Sequence, residues 1–194
     1  MPRILQFQRN RNAASKFEEL MRPQVEFLHR LAWRFTGSVA DAEDLVQDVL
    51  LKLYPRREEL AGIEQLRPWL AKVLYRQYVD FVRRQARSPL SAPAAGAPEG
   101  GDPLDAVADP EDGPEGRAER GEWRDRILAA LGRLNPEQRA VVVMHDIEGY
   151  SLEELEPILE APLGTLKSRL HRARQHLRAH LGMEPFAAGE RVKR

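Results

Sequence analysis

The chain has 194 residues, 42% of them hydrophobic, no cysteine, and 30 basic against 30 acidic side chains. That length suffices for one modest core or two small ones, and the apolar content excludes a wholly disordered chain. Absent thiols exclude a disulfide framework, a thiolate nucleophile and a cysteine-ligated metal, and they fit a reducing, cytoplasmic setting.

The opening stretch, MPRILQFQRNRNAASK, carries basic groups among isolated apolar ones, so no secretion signal is expected and residues 1–16 read as a basic tail. No run approaches the roughly 20 apolar residues that cross a bilayer, so membrane insertion is not expected. The zero net charge hides its distribution. Residues 1–16 carry +4, 17–54 carry −3, 55–87 carry +4, 88–121 carry −6, 122–162 carry −5 and 163–194 carry +6. Such a chain can offer two positive surfaces to an anionic polymer while its acidic parts face something else.

In chain order, Phe17, Leu20, Met21, Val25, Leu28, Leu31, Ala32 and Phe35 recur at steps of three and four and predict an amphipathic helix that Thr36-Gly37-Ser38 ends. A second helix is expected from about Val39 to Tyr54, with Ala42, Leu45, Val46, Val49, Leu50 and Leu53 on one side and Pro55 stopping it. A charged loop, Arg56 to Leu66, leads to a third helix opened by Pro68 and running to about Arg87. Leu70, Val73, Leu74, Gln77 and Phe81 form its core stripe, and Trp69 is expected to pack as well. Tyr75 and Tyr78 stay open between packing and display. Residues 88–121, with six prolines, six glycines and eight acids among 34, predict a flexible acidic linker without helix.

Beyond it, Trp123, Ile127, Leu131 and Leu134 are expected on one helix face. Asn135-Pro136 supplies an N-cap and a first-turn proline for a helix carrying Val141, Val142, Met144 and Ile147, which Glu148-Gly149-Tyr150 ends. Ser151 and Glu154 predict a capping box on a short helix with Leu152, Leu155, Ile158 and Leu159. Pro157 inside it predicts a kinked or shortened helix. The final helix, LGTLKSRLHRARQHLRAHL, turns Leu166, Leu170, Ala173, Leu177 and Leu181 inward. Lys167, Ser168, Arg169, His171, Arg172, Arg174, Gln175 and Arg178 lie outward or on its flanks. Such a helix suits a major groove, where arginine bonds guanine edges or phosphates and Ser168 and Gln175 serve as neutral readers. With the short helix before it, the pair reads as a helix-turn-helix; the bland alternative is a solvated basic face.

These residues resemble a known family. SLEELEPILEAPLGTLKSRLHRARQHL is similar to region 4 of the sigma-70 family, especially its extracytoplasmic-function (ECF) branch, where a P-x-G-T-[VL]-[KR]-S-R-x-x-R-A-R run opens the recognition helix. Pro162, Gly164, Thr165, Lys167, Ser168, Arg169, Arg172, Ala173 and Arg174 fit that run. LGRLNPEQRAVVVMHDIEGYS is similar to the helix and turn before it. DAEDLVQDVLLKLY resembles region 2.2, so Asp44, Gln47 and Asp48 are the implied contacts to the clamp helices of the polymerase's largest subunit; their spacing shares one helix face. RPWLAKVLYRQYVDFVRRQAR resembles regions 2.3 and 2.4, which implies melting and capture of the downstream (−10) promoter element by Lys72, Arg76, Arg83, Arg84 and Arg87.

The resemblance implies an all-α chain of two small helical domains, a region 2 bundle at residues 17–87 and a region 4 helix-turn-helix at 122–182, joined by the acidic linker and followed by a tail at 183–194. It implies a non-enzymatic transcription initiation factor that binds core RNA polymerase, through clamp helices and flap, and promoter DNA. Thr165, Lys167, Ser168, Arg169, His171, Arg172, Arg174 and Gln175 would read the upstream (−35) element, with an anti-sigma factor as a further partner. No cofactor is expected. His176 and His180, at i and i+4, lack a third ligand at suitable spacing, so no metal is expected either. Three positions depart from the family pattern: Tyr75-Arg76 stands where arginine-asparagine is common, Glu160 where the turn is often glycine, and Pro157 within the first helix of the pair. A stand-alone helix-turn-helix regulator, and a sigma-mimic that binds an anti-sigma factor without DNA, are the alternative readings.

Overall fold

In a computed structural model the described residues are 2–87 and 114–182. They form helices and turns with no β-strand: α1 (Pro2–Thr36), α2 (Val39–Leu53), a 3-10 turn (Tyr54–Arg56), α3 (Arg57–Leu60), α4 (Leu66–Arg87), α5 (Pro114–Gly132), α6 (Pro136–Val142) running into a π-helical turn (Val143–Ile147), α7 (Leu152–Leu159) and α8 (Leu163–Leu181). Among them no helix is long and apolar enough to cross a membrane.

Local chemistry sets most boundaries. Gly37, at φ +76°, closes α1, its N–H donating to the Trp33 carbonyl at 2.7 Å. Ser38 caps α2 by accepting from the Asp41 N–H. Asn135 caps α6 in the same way from Gln138, at 2.8 Å.

Two expected segments differ. The basic tail at 1–16 is helical from Pro2, because proline at a helix start is followed by arginine, leucine, glutamine and alanine with nothing to break the turn. The linker does not extend to residue 121: α5 begins at Pro114, and its Glu, Arg and Ala residues sustain the helix across Gly116 and Gly121. The remainder of the expected linker and the tail at 183–194 lie outside the described residues.

Leu28, Leu31 and Phe35 of α1 pack with Leu45, Val46 and Val49 of α2, Leu60 of α3 and Leu70 and Leu74 of α4. The second unit buries Leu128, Leu131, Val141 to Met144, Leu155, Leu166 and Leu170, and the two cores merge into one contiguous apolar cluster. The junction explains several burials. Besides α2, α3 and α4, α1 touches α5, α6 and the π-turn. Phe27 and Trp33, off the expected apolar face, are buried as well, Phe27 beneath the Arg67 guanidinium of α4. Tyr78 stacks on Phe35, ring centroids 4.9 Å apart. Trp123 and Ile147, expected inward, are exposed; Trp123 instead lies beside the Arg126 guanidinium.

Replacing fully buried Leu74 by alanine should lower the unfolding free energy by about 2–5 kcal/mol. The same change at exposed Leu51 should cost less than about 0.5 kcal/mol. Urea titrations followed by circular dichroism compare the two.

Candidate nucleic-acid interface

The helix-turn-helix is assembled by short-range bonds. The Ser151 N–H donates to Glu154 Oε2 at 2.7 Å and the Glu154 N–H to Ser151 Oγ at 3.1 Å, completing the expected capping box. Exposed Pro157 sits inside α7, which ends two residues later, so the helix is short. Glu160 takes the left-handed conformation at φ 52° and ψ 44°, where the family's glycine would sit without a Cβ penalty. Buried Ala161 and then Pro162 lead into α8, whose first N–H, that of Leu163, donates to Glu156 Oε1 at 3.2 Å.

Helix α8 buries Leu166, Leu170 and Ala173, with Leu177 packed against the same core. Lys167, Ser168, His171, Arg172 and Gln175 are exposed and Thr165 half-buried. Ser168, His171, Arg172 and Gln175 follow at steps of three, four and seven from the first, so they form one outward stripe. Ser168 Oγ donates to the Thr165 carbonyl at 2.9 Å. Two of the expected DNA contacts turn elsewhere. Arg169 pairs with Glu137 of α6 and keeps only 22% of its side chain exposed. Arg174 grips Asp146 of the π-turn through Nε and Nη2, and this hydrogen bonding raises its pKa. His180 Nδ1 lies 2.7 Å from the His176 carbonyl oxygen.

On α4 the expected downstream-element cations separate in the same way. Arg76 bonds both carboxylate oxygens of Glu160, and Lys72 Nζ lies 3.2 Å from Glu160 Oε1. Those hydrogen bonds, Arg76's first and Lys72's second, hold the Glu160 carboxyl below the usual carboxylate range. With the folded pKa lowered, the contact stands at neutral pH and is lost as pH falls through that lowered value. Arg83 lies 3.9 Å from Asp80 and Arg84 3.5 Å from Asp48, while Arg87 is exposed at the helix end. Tyr75 and Tyr78 are buried, which raises both phenol pKa values. Trp69 and Phe81 pack against the core. Buried Tyr75 and Tyr78 do not present open faces on which bases could stack, whereas Trp69 and Phe81 are half-buried.

Asp44 and Gln47 are exposed and Asp48 half-buried on α2. They line a groove with Leu45 of α2 and Phe81, Arg84 and Gln85 of α4.

Two clusters join the units without any local signal in the sequence. The Glu148 side chain, only 4% exposed, bonds Arg34 and lies 3.5 Å from Arg30 Nε and 3.6 Å from Arg67 Nη2. Arg139 donates to three carbonyls: Leu131 (2.8 Å) and Gly132 (2.7 Å) at the end of α5, and Phe35 (2.6 Å) at the end of α1. It thereby satisfies acceptors that helix ends leave open.

Fold and site define, among the described residues, an all-helical protein whose helix-turn-helix is docked on the unit formed by α1 to α4. The model of Sigma-70 region 2 matches residues 20–88 and that of Sigma-70, region 4 matches residues 124–177. The ECF RNA polymerase sigma factor SigE of Mycolicibacterium smegmatis is 36% identical over 174 residues, which cover 87% of this chain and 63% of that protein. The RNA polymerase sigma-E factor of Streptomyces coelicolor is 34% identical over 166 residues, covering 86% of each. Two solved structures are also similar. RpoE of Bartonella quintana, in complex with the anti-sigma factor NepR, has a TM-score of 0.62 at 23% identity, over 87% of this chain and 98% of that one. SigJ of Mycobacterium tuberculosis has a TM-score of 0.55 at 30% identity, over 84% and 53%. The chain belongs to the sigma-70 family of transcription initiation factors, in its extracytoplasmic-function branch.

Arg139→Ala should lower the unfolding free energy by about 3 kcal/mol by stripping a charged donor from three carbonyls. Arg139→Lys should recover only part of that, since an ammonium cannot reproduce the guanidinium fork. Denaturant titration of the three proteins measures the difference.

Proposed function

We propose that this sigma factor joins core RNA polymerase through Asp44, Gln47 and Asp48 and brings it to promoters by a two-point grip on DNA. The exposed stripe of Ser168, His171, Arg172 and Gln175, flanked by Lys167, carries the upstream half of this reading. It combines a planar bidentate donor with neutral donor–acceptor groups on the second helix of a helix-turn-helix, the element that enters the major groove. Arg172 is its central base or phosphate contact. Arg169 and Arg174, tied to Glu137 and Asp146, act there by fixing the helix on its support.

The downstream half falls to α4. Arg83, Arg84 and Arg87 follow Lys72 and Arg76 along that helix and give a single strand a cationic track. With Tyr75 and Tyr78 buried, base capture relies on phosphate contacts and on a rearrangement that exposes a pocket. The acidic residues between 88 and 113 tether the two halves as they separate on the polymerase. The lack of any membrane-crossing helix among the described residues agrees with a cytoplasmic site of action. An anti-sigma factor is a fitting partner: the similar RpoE and CnrH structures are complexes with NepR and with the cytosolic domain of CnrY.

Transcription in vitro with purified core polymerase and a library of bacterial promoter fragments tests the reading; absence of defined start sites would refute it. On a promoter so identified, Arg172→Ala should weaken upstream-element binding by about 1–3 kcal/mol if the guanidinium meets a base. Combined alanine substitution of Asp44, Gln47 and Asp48 should abolish co-purification with core polymerase while leaving the thermal melt of the isolated chain nearly unchanged.

A further inference from the structure

Two of the departures from the family pattern touch each other in space. Glu160, in place of the turn glycine, is the only non-glycine residue with a positive φ among the described residues. Arg76, in place of asparagine, bonds its two carboxylate oxygens from the other unit, 84 residues away in sequence, and Lys72 adds a third contact. A planar anion held by a guanidinium fork and an ammonium is the geometry in which a backbone phosphate oxygen pair is also held. The conformation of Glu160 costs free energy that glycine would not incur, and the carboxylate so placed reaches no cation of its own unit among the described residues.

We propose that Glu160 is an internal stand-in for a nucleic-acid phosphate, occupying Lys72 and Arg76 in the free chain and so restraining α4 from single-stranded DNA until the two units part. The inference rests on the reading that α4 meets the downstream strand. By it, a chain with a cationic α4 would be restrained from indiscriminate binding without a partner. The turn of the helix-turn-helix sits on α4 through Glu160, and α4 and α7 pack directly. The same contact therefore couples the two DNA-reading elements: release of α4 by a strand also frees the turn before α8.

The test uses the full chain and a short oligothymidylate, titrated by fluorescence anisotropy over a range of salt concentrations. Glu160→Gly removes the carboxylate and also relieves the left-handed strain, so loss of folding is not expected. It should bind about 3- to 10-fold tighter at low salt. Its log–log salt slope should be steeper by about 1.4, the value for two additional phosphates at about 0.7 each. Glu153→Gln removes a different exposed acid of the same unit and should leave both quantities as in the wild type.

Unchanged affinity in Glu160→Gly, with a circular dichroism melt showing the fold intact, overturns the proposal; so does an equal gain in Glu153→Gln, which would make the effect one of net charge. The underlying reading is tested separately by adding Lys72→Ala and Arg76→Ala. A gain that survives in this triple variant would show that α4 does not hold the strand. If Lys72→Ala/Arg76→Ala weakens binding in the otherwise wild-type chain while Glu160→Gly gains nothing, the reading stands and the phosphate-mimic role is refuted.

Discussion

The carboxylate of Glu148 is almost wholly removed from water, and a charge in that position is tolerated only where opposite charges and hydrogen bonds replace its hydration. Its neighbours come from the other half of the molecule: Arg30 and Arg34 from α1 and Arg67 from the start of α4. Because guanidinium groups are directional, the arrangement fixes where the turn before α7 lies against the first unit. From that anchor the rest follows. Helix α7 runs beside α4, the left-handed turn falls over Lys72 and Arg76, and Arg139 reaches the Phe35 carbonyl at the end of α1.

A similar principle operates within the helix-turn-helix. Helix α8 is amphipathic with an inward face of Leu166, Leu170 and Ala173, but two of its arginines leave the outward stripe and bind acids on α6 and the π-turn. The π-turn contributes to this, since Asp146 lies within it and Glu148, which bonds Arg34, follows directly after it. One wide turn thus supplies an anchor for α8 and leads into the anchor for the first unit.

How far the sequence discloses this depends on the range of the interactions. The starts of α2, α6 and α7 are legible because Ser38, Asn135 and the Ser151–Glu154 box act within three residues. The core faces of α2, α4 and α8 are legible because periodicity records burial against a single neighbouring surface. What is hidden depends on a second surface. Tyr75 and Tyr78 are buried although a single apolar stripe does not require it, where the second unit packs on α4, and Phe27 and Trp33 are buried outside the single stripe of α1. The Glu148–Arg34 bond joins residues 114 positions apart, a separation at which neither spacing nor composition carries information. The helical residues from Pro2 and from Pro114 were obscured by charge, proline and glycine content, which describe solubility better than conformation. For the site, the exposed stripe of α8 follows from the heptad-like spacing, while the pairing of Arg169 and Arg174 does not, since both acids lie on other elements.

The pairing of α8 bears on how its binding responds to the ionic medium. Five of its side chains are lysine or arginine, and two of these, Arg169 and Arg174, already have carboxylate partners. A cation neutralised within the protein displaces little of the ion atmosphere condensed on a duplex. If α8 meets a duplex as proposed, the entropic gain of association would come from Lys167, Arg172 and Arg178 rather than from the formal charge of the helix, at about 0.9 ions per phosphate neutralised. In that reading the helix would draw proportionally more of its affinity from fit to the groove and less from salt displaced, and its choice of sequence would be less diluted by general attraction to DNA.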